Sequence, residues 1–311
     1  MRARRNLLRG RSLFFVRFFR SRITRKFFRM PTSVVGLSLV LGFVVVALAA
    51  PLIAPPAEPS RPYLVPRDSY LNEPQPPSER HPLGTTSGQY DIFYGLVWGT
   101  RTAFRIGLVV TLVSALVGVF LGAVSAFYGR LVDEVMMRVV DIFMTMPFLV
   151  AAMVLVTILG TGLDKVMIAL VVFGWMQYAR LTRAEIKKLK ELDYVQAARA
   201  IGAGNRRIIL RHLLPNAIFP IFVMATMDIG SMVLSAAGLS FLGLGAELGY
   251  ADWGQMISFA RNWMSGTYGS PLQYWYTIAF PGLVILLFVL GWNLMGDGLR
   301  DVLDPRMRGS K

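Results

Sequence analysis

Apolar residues along this chain fall into long uncharged runs, not into short alternating ones. A helix needs roughly 20 apolar residues to cross the hydrocarbon core of a bilayer. Six runs reach or approach that length, and they predict helices over Ser33–Ile53, Ala103–Phe127, Val139–Leu159, Val166–Arg180, Ile218–Leu244 and Tyr276–Leu294. The expected fold is therefore all-α and membrane-embedded, with six transmembrane helices. A basic, aromatic lead, residues 1–30, precedes the first run, and Ala47-Leu48-Ala49 near its end has the form of a signal-peptide cleavage site. The lead and the apolar stretch are both too long for a signal peptide, so an uncleaved span is expected. The lead itself fits an interfacial amphipathic helix with Phe14, Phe15, Phe18 and Phe19 in the headgroups, or a disordered basic tail.

The polar segments between the runs set an orientation. Lys and Arg concentrate in the N-terminal tail, at Arg130 and Arg138, and in the fourth connection at Arg183, Lys187, Lys188, Lys190, Arg199, Arg206, Arg207 and Arg211. The C-terminus adds Arg300, Arg306, Arg308 and Lys311. The alternate segments hold more acids than bases, among them Glu58, Asp68, Glu73, Glu79, Asp91, Asp164, Glu247 and Asp252. Basic loops stay on the cytoplasmic side, so both termini are expected inside. Pro51–His81 is proline-rich and predicts an irregular outer segment. Trp253, Trp263, Tyr268, Tyr274 and Trp275 in the second outer segment read as interface anchors, with a docking vestibule as the other reading.

Composition agrees. Of 311 residues 54% are hydrophobic and 16% charged, where a soluble domain carries about 25% charged residues. The net charge of +15 then reflects basic loops and anionic lipid, with no nucleic-acid partner expected. Cysteine is absent and there are two histidines far apart, His81 and His212, so neither disulfides nor a Cys/His metal site is expected. No Gly-Lys pair occurs, hence no P-loop, and neither H-E-x-x-H nor G-x-S-x-G is present. The expectation is a chain that is not an enzyme and binds no cofactor. Any ATP and Mg would sit on partner subunits.

The fourth connection is the most informative. Asp193 can cap a short helix Tyr194–Ala200, Gly202-Ala203-Gly204 permits a tight turn, Asn205 can cap a second helix to Leu213, and Pro215 suits the start of the next span. This predicts a helix–turn–helix along the membrane surface, in which Ala197, Ala198 and Gly202 allow a partner's close approach. The bland reading is a basic loop that merely obeys the charge bias, and the DNA-binding type is disfavoured between two spans.

Gln196-Ala197-Ala198, then Gly202, then His212-Leu213-Leu214-Pro215 resembles the E-A-A-x3-G-x9-I-x-L-P loop of permease subunits in bacterial binding-protein-dependent ABC importers. His81-Pro82-Leu83-Gly84-Thr85, Asp133–Arg138 (D-E-V-M-M-R), Met146-Pro147-Phe148, Leu239–Gly245 with Trp253-Gly254, and Gly296–Asp301 with Leu303-Asp304-Pro305-Arg306 resemble further segments of the dipeptide/oligopeptide/nickel permeases of "C" type. The chain departs from that pattern at Thr86, Gln89, Tyr90, Gln196 and Ala236, the last standing where a membrane glutamate is usual.

The resemblance implies a type I ABC importer permease fold in the bacterial plasma (inner) membrane. It implies a homologous second permease, two nucleotide-binding ATPase subunits and an extracytoplasmic substrate-binding protein as partners, with membrane lipid around the spans. It also implies that residues 183–215 form the coupling loop, with Asp193, Tyr194, Gln196, Ala197, Ala198, Arg199, Gly202, Ala203, His212 and Pro215 at the ATPase contact. Asp228, with Met224, Ser231 and Ser235, is expected on the translocation path or at the permease–permease interface. The expected division is a tail (1–30), a first helix (31–57), an outer segment (58–100), a five-helix core (101–298) and a C-terminal tail (299–311). Peptides are the expected cargo. Nickel chelates or heme-like ligands on the same architecture, and an ATP-independent transporter or channel, are the rival readings.

Overall fold

The computed structural model describes residues 22–303 apart from Tyr70, Ser265, residues 267–269 and Pro271. The expected interfacial phenylalanines Phe14, Phe15, Phe18 and Phe19 lie outside the described residues, as do Tyr268, Asp304-Pro305-Arg306, Arg308 and Lys311. The described residues are helical, with isolated β-bridges and no strand. In chain order the helices are α1 (Arg22–Arg29), α2 (Pro31–Ile53), α3 (Ile92–Tyr128), α4 (Arg130–Met144), α5 (Phe148–Leu159) and α6 (Leu163–Lys190). They continue with α7 (Asp193–Ala200), α8 (Asn205–Arg207), α9 (Leu214–Phe241), α10 (Trp253–Phe259) and α11 (Tyr276–Leu303). A π-helical turn, Ile208–Leu213, joins α8 to α9 without a break.

Among the described residues four helices are long and apolar enough to cross a membrane: α2, α3, the run from α8 through α9, and α11. The bent pair α4–α5 raises the number to five. The apolar part of α6 is shorter, bracketed by Asp164, Lys165 and Arg180. The expected continuous third span, Val139–Leu159, is corrected: α4 and α5 meet at 87° across Thr145-Met146-Pro147. Pro147 has no N–H to give and pushes the residue before it out of the helical region, so the ladder ends there. The 12 residues of α5 reach only about 18 Å, short of the roughly 30 Å core. The second span starts at Ile92, well before Ala103, where Asp91 caps it by accepting from the Tyr94 N–H at 2.7 Å.

The bundle is built on close helix contacts. α3 lies on α6 through Ser114, Gly118 and Gly122, one turn apart on a single face. A β-carbon at Gly118 would stand 2.3 Å from the Trp175 carbonyl oxygen, and one at Gly122 would stand 2.4 Å from that of Ala179. Lipid tails give no hydrophobic drive to pair two apolar helices, so small residues that let backbones touch are what select the partner. α2 runs antiparallel to α11, with Gly36 against Leu294 and Met295, and Gly298 against Ser33. Lys26 of α1 donates to the Asp301 carbonyl oxygen at 2.8 Å, which puts α1 beside the end of α11.

Residues 54–91 and 242–275 meet at the opposite end. Val65 N–H donates to the Gly249 carbonyl and Ala251 N–H to that of Tyr63, each at 2.8 Å. The aromatic residues here do not all behave as interface anchors. Trp253 is buried and donates to the Leu96 carbonyl at 3.2 Å, and Tyr274 is buried and donates to Glu73 at 2.7 Å, whereas Trp275 is exposed. Gly254 explains the position of Trp253: a β-carbon there would meet the Ala237 carbonyl oxygen at 2.2 Å, so α10 lies directly on α9. Asp252, buried, caps α10 through Gly254 N–H and accepts from the Ser240 hydroxyl at 2.6 Å.

His81 ties the same end together. Its Nδ1 stands 2.5 Å from Asp91 Oδ2 and its Nε2 stands 2.9 Å from Asp68 Oδ2. Burial lowers the pKa of this imidazole, but the hydrogen bonds and charges of Asp68 and Asp91 outweigh it and raise the pKa above the ordinary 6.5. Of the positions that depart from the family pattern here, Gln89 donates to the Glu73 carbonyl and Tyr90 stacks on Phe259 at 5.2 Å.

Two outcomes are expected. Gly118→Val will lower the thermal melting temperature of the purified protein in detergent, at a cost of about 1–3 kcal/mol, while Gly42→Ala, with open space at its β-carbon, will not. The His81 pKa is raised on folding, so its stabilisation is complete below 6.5 and is lost as pH rises through the folded value. The gap in melting temperature between wild type and His81→Gln will thus be widest at acid pH and close in alkali. A gap that does not change with pH would refute the ion-pair account.

Candidate functional site

The connection between α6 and α9 folds as a small knob at the end of the bundle where α3 also finishes. α7 and the π turn pack onto the helices behind them. Val195, Ala198, Ile208 and Leu213 are buried with Ala123 and Phe127 of α3, Ile186 of α6, and Ala217 and Ile221 of α9. Lys190 donates to the Phe127 carbonyl at 2.7 Å, filling an acceptor that the end of α3 leaves open. Lys190 lies beyond the apolar stretch of α6, and burial together with the charges of Arg199 and Lys187 pulls its pKa below the ordinary lysine value.

The turn at the tip depends on one glycine. Gly202 sits at φ +81°, after which Ala203 N–H returns to the Ala198 carbonyl at 3.0 Å, closing a Schellman-type end to α7. No atom lies within 4 Å of a β-carbon built there, so the demand on Gly202 is conformational, not steric. Tyr194 and Asn216 both donate to the His212 carbonyl, at 3.3 and 2.7 Å, and Gln196 donates to the Lys190 carbonyl at 3.2 Å. What remains outward is a compact face of Tyr194, Gln196, Ala197, Arg199 and Ile201. Ile201 is 86% exposed, an apolar side chain in water at the tip of a basic element.

The structure brings together the residues expected in this loop, with four differences in detail. Asp193 does not cap α7; Leu192 takes that position and Asp193 lies in the first turn, where a carboxylate still meets the positive end of the helix. Asn205 does not cap α8; Gly204 stands there. The second helix is not a separate surface element. It continues through the π turn into α9, ahead of Pro215, which has no N–H to return to the preceding turn. Ala198 faces inward and Ala197 outward, so only the latter is open to a partner.

An ion cluster holds α4 against α6 beside the knob. Asp133 accepts from Ser125 at 2.7 Å, from Arg183 at 2.5 and 2.7 Å, and from Lys187 at 2.6 Å. Arg180 reaches Asp141 at 2.5 Å on the same side. This explains the D-E-V-M-M-R segment as a clamp. Sequence reading had no partner for Asp133, because Arg183 and Lys187 looked like ordinary positive loop charges. The four-residue step from Arg183 to Lys187 places both on one face of α6 and is the signal available in hindsight.

Within α9 the Tyr178 hydroxyl of α6 donates to Asp228 Oδ2 at 2.8 Å. Ser231 is exposed, and the Ser235 hydroxyl turns back to the Ser231 carbonyl at 2.9 Å. Met224 does not stand in the open; it packs at the edge of the knob cluster. Tyr178 was not singled out in the sequence, where it reads as one more aromatic in an apolar run. Among the described residues no group of three or more His, Cys, Asp or Glu could hold a metal ion.

Known proteins with this pattern are transport components, not catalysts. Residues 118–309 match the family described as binding-protein-dependent transport system inner membrane component, and residues 18–77 match the N-terminal TM domain of oligopeptide transport permease C. The dipeptide transport system permease protein DppC of Alkalihalophilus pseudofirmus is 37% identical over 89% of this chain and 86% of its own length. The di/tripeptide transport system permease protein DppC of Pseudomonas aeruginosa is 38% identical over 88% of each. The glutathione transport system permease protein GsiD of Pectobacterium atrosepticum is 36% identical over 91% of this chain and 90% of its own. Among solved structures, a chain of the inward-facing MetNI methionine ABC transporter superposes with a TM-score of 0.54 at 21% identity, covering 68% of this chain and 98% of that one, which speaks for the fold alone. With a family match over most of the chain and relatives above 30% identity along nearly its whole length, this multi-pass membrane protein belongs to the binding-protein-dependent transport system inner membrane components.

Proposed function

We propose that this chain is one of the two membrane-spanning subunits of an ATP-binding-cassette importer for dipeptides or oligopeptides in the bacterial inner membrane. A binding protein outside would deliver the peptide. A homologous second permease would complete the pathway, and two ATPase subunits carrying ATP and Mg would drive it. The carrying observation is the run of peptide-permease relatives at 36–38% identity along about nine tenths of the chain. The dipeptides, tripeptides and glutathione in the relatives' names support peptides over nickel chelates or heme-like ligands, and the family's description as one component of a binding-protein-dependent system supports a multi-subunit importer over a lone transporter or channel.

Six crossings follow if α4–α5 is taken as one broken span and α6 as another. Lys26 beside Asp301 supports N-in and C-in, since it puts the start of the first span and the end of the last at one end, together with the basic segments. In this reading residues 58–100 form the outer segment and residues 101–298 the core. The knob, residues 183–215, is the coupling element: its outward Tyr194, Gln196, Ala197, Arg199 and Ile201 would seat in a cleft of the ATPase, and its buried face would pass the displacement to α3, α6 and α9. An exposed isoleucine ringed by polar groups has the make-up of a small interface core.

Gly202 tests this. Val cannot hold φ +81° without strain, whereas Asn enters that region at modest cost. Gly202→Val will abolish ATP-dependent peptide uptake while the complex still co-purifies, and Gly202→Asn will retain a measurable part of it. Full uptake by Gly202→Val would sink the coupling assignment.

A further inference from the structure

α9 has one face that the described residues leave uncovered. Its other sides are occupied: Ile229 and Val233 close on Gly107 of α3, Met232 on Gly174 of α6, and Gly230 on Val289 of α11. Asp228, Ser231 and Ser235 recur at helical spacing along the remaining stripe, so they share one side of the helix. Asp228 lies in the middle of a membrane-length helix, where a carboxylate facing hydrocarbon is costly; such a group faces a cavity, a cation or a partner. Tyr178 satisfies Oδ2. A phenol donates one hydrogen bond and brings no positive charge, so a charge on this carboxylate has no cation beside it from Tyr178. Among the described residues no Lys, Arg or His forms an ion pair with Asp228, although Asp133, Asp141 and Asp164 each have one.

We propose that Asp228 is a specificity-determining residue of the transport pathway, and that it takes the α-ammonium group of the peptide as it passes along α9. The proposal rests on the peptide-importer reading above. The cargoes named for the relatives are dipeptides, tripeptides and glutathione, which differ in side chains and length. A fixed membrane residue that serves such a range must address a group they share, and the shared cationic group is the ammonium. A carboxylate held from one side by Tyr178, with hydroxyls at Ser231 and Ser235 further along the same stripe, is complementary to it in charge. Ser231 and Ser235 in place of further charges would let the ammonium move on, because conduction needs sites weak enough to leave.

The test uses the whole membrane complex in nanodiscs, this chain with the second permease and both ATPases, without the binding protein, so that the carrier's own selectivity is absent. Equilibrium binding of a labelled dipeptide is compared with that of its Nα-acetyl form, and ATP-dependent uptake with the binding protein restored is measured in parallel. A charge-assisted contact predicts that the wild-type complex binds the free-ammonium form at least about tenfold tighter. Asp228→Asn will remove that preference, leaving the acetylated form's affinity unchanged. Tyr178→Phe keeps the carboxylate and will keep the preference. Equal affinity for both forms in wild type, or a preference that survives in Asp228→Asn, overturns the proposal. So does a preference lost in Tyr178→Phe, which would make Asp228 a structural partner of Tyr178. Should Asp228→Asn fail to co-purify, a preference retained in both Asp228→Glu and Tyr178→Phe supports the proposal, and its loss in either overturns it. A wild-type complex that takes up no peptide would instead bring down the importer reading, so the two failures are distinguishable.

Discussion

The contact between α3 and α6 through Gly118 and Gly122 is the constraint on which the rest depends. Backbone stands against side chain and backbone there, with no room for a β-carbon. That approach fixes the rotation of α6, and the rotation of α6 decides where its polar side chains fall. Tyr178, beside Gly118, is turned toward α9 and reaches Asp228. One to three turns further on, Arg183, Lys187 and Lys190 meet Asp133 and the end of α3. A larger residue at Gly118 or Gly122 would push the helices apart and shift every one of these contacts, because they all hang from the same rigid rod.

The two ends of the bundle are held by different means. At the knob end, charge does the holding: Asp133 with two cations, Asp141 with Arg180, and Lys190 on the carbonyls that finish α3. At the other end, irregular chain is held by backbone pairing between residues 63–65 and 249–251, by buried tryptophan and tyrosine, and by His81 between two carboxylates. Non-helical backbone cannot face lipid unpaired, so this cap must satisfy its own N–H and C=O groups. It does so with glycines that admit tight turns, Gly84 and Gly249 among them, each at positive φ and each with an aromatic ring, Tyr276 or Tyr90, against the space a β-carbon would need.

Much of this was legible before folding, and the limits have physical reasons. Apolar run length gave the helices because the bilayer demands that length. It could not show that Val139–Leu159 breaks at Pro147, since hydropathy is blind to hydrogen-bond geometry. Nor could it show that α3 begins at Ile92, because its first turns carry Gly95, Gly99 and Arg101 and look like loop. The knob was readable because its determinants are local: a glycine for the turn, alternating small and apolar residues for the packing. Its caps were misplaced by one residue, which is the scale on which neighbouring cap candidates compete. Trp253 and Tyr274 were misjudged because interface and interior both favour aromatics. The Asp133 clamp and the Tyr178–Asp228 bond join residues about fifty positions apart, and single-sequence pattern carries no information at that range.

The route from the knob to Asp228 is direct in this fold. From Asn205 the chain runs without a loop to Phe241, and Asp228 lies roughly 35 Å along that rod. In the proposed reading, a partner that pulls on the outward face around Ile201 acts on the base of the same helix that carries the polar stripe. A straight helix would pass such a displacement as rigid tilt. This one has two places that can yield, the π turn at Ile208–Leu213 and Pro220 inside α9. Both lie between Ile201 and Asp228. The clamp of Asp133 on Arg183 and Lys187 resists independent movement of α4 and α6, whereas these two places let α9 bend. The helix that offers the carboxylate is thus also the one free to bend relative to its neighbours, and a peptide bound to it would be carried with the change instead of being left behind.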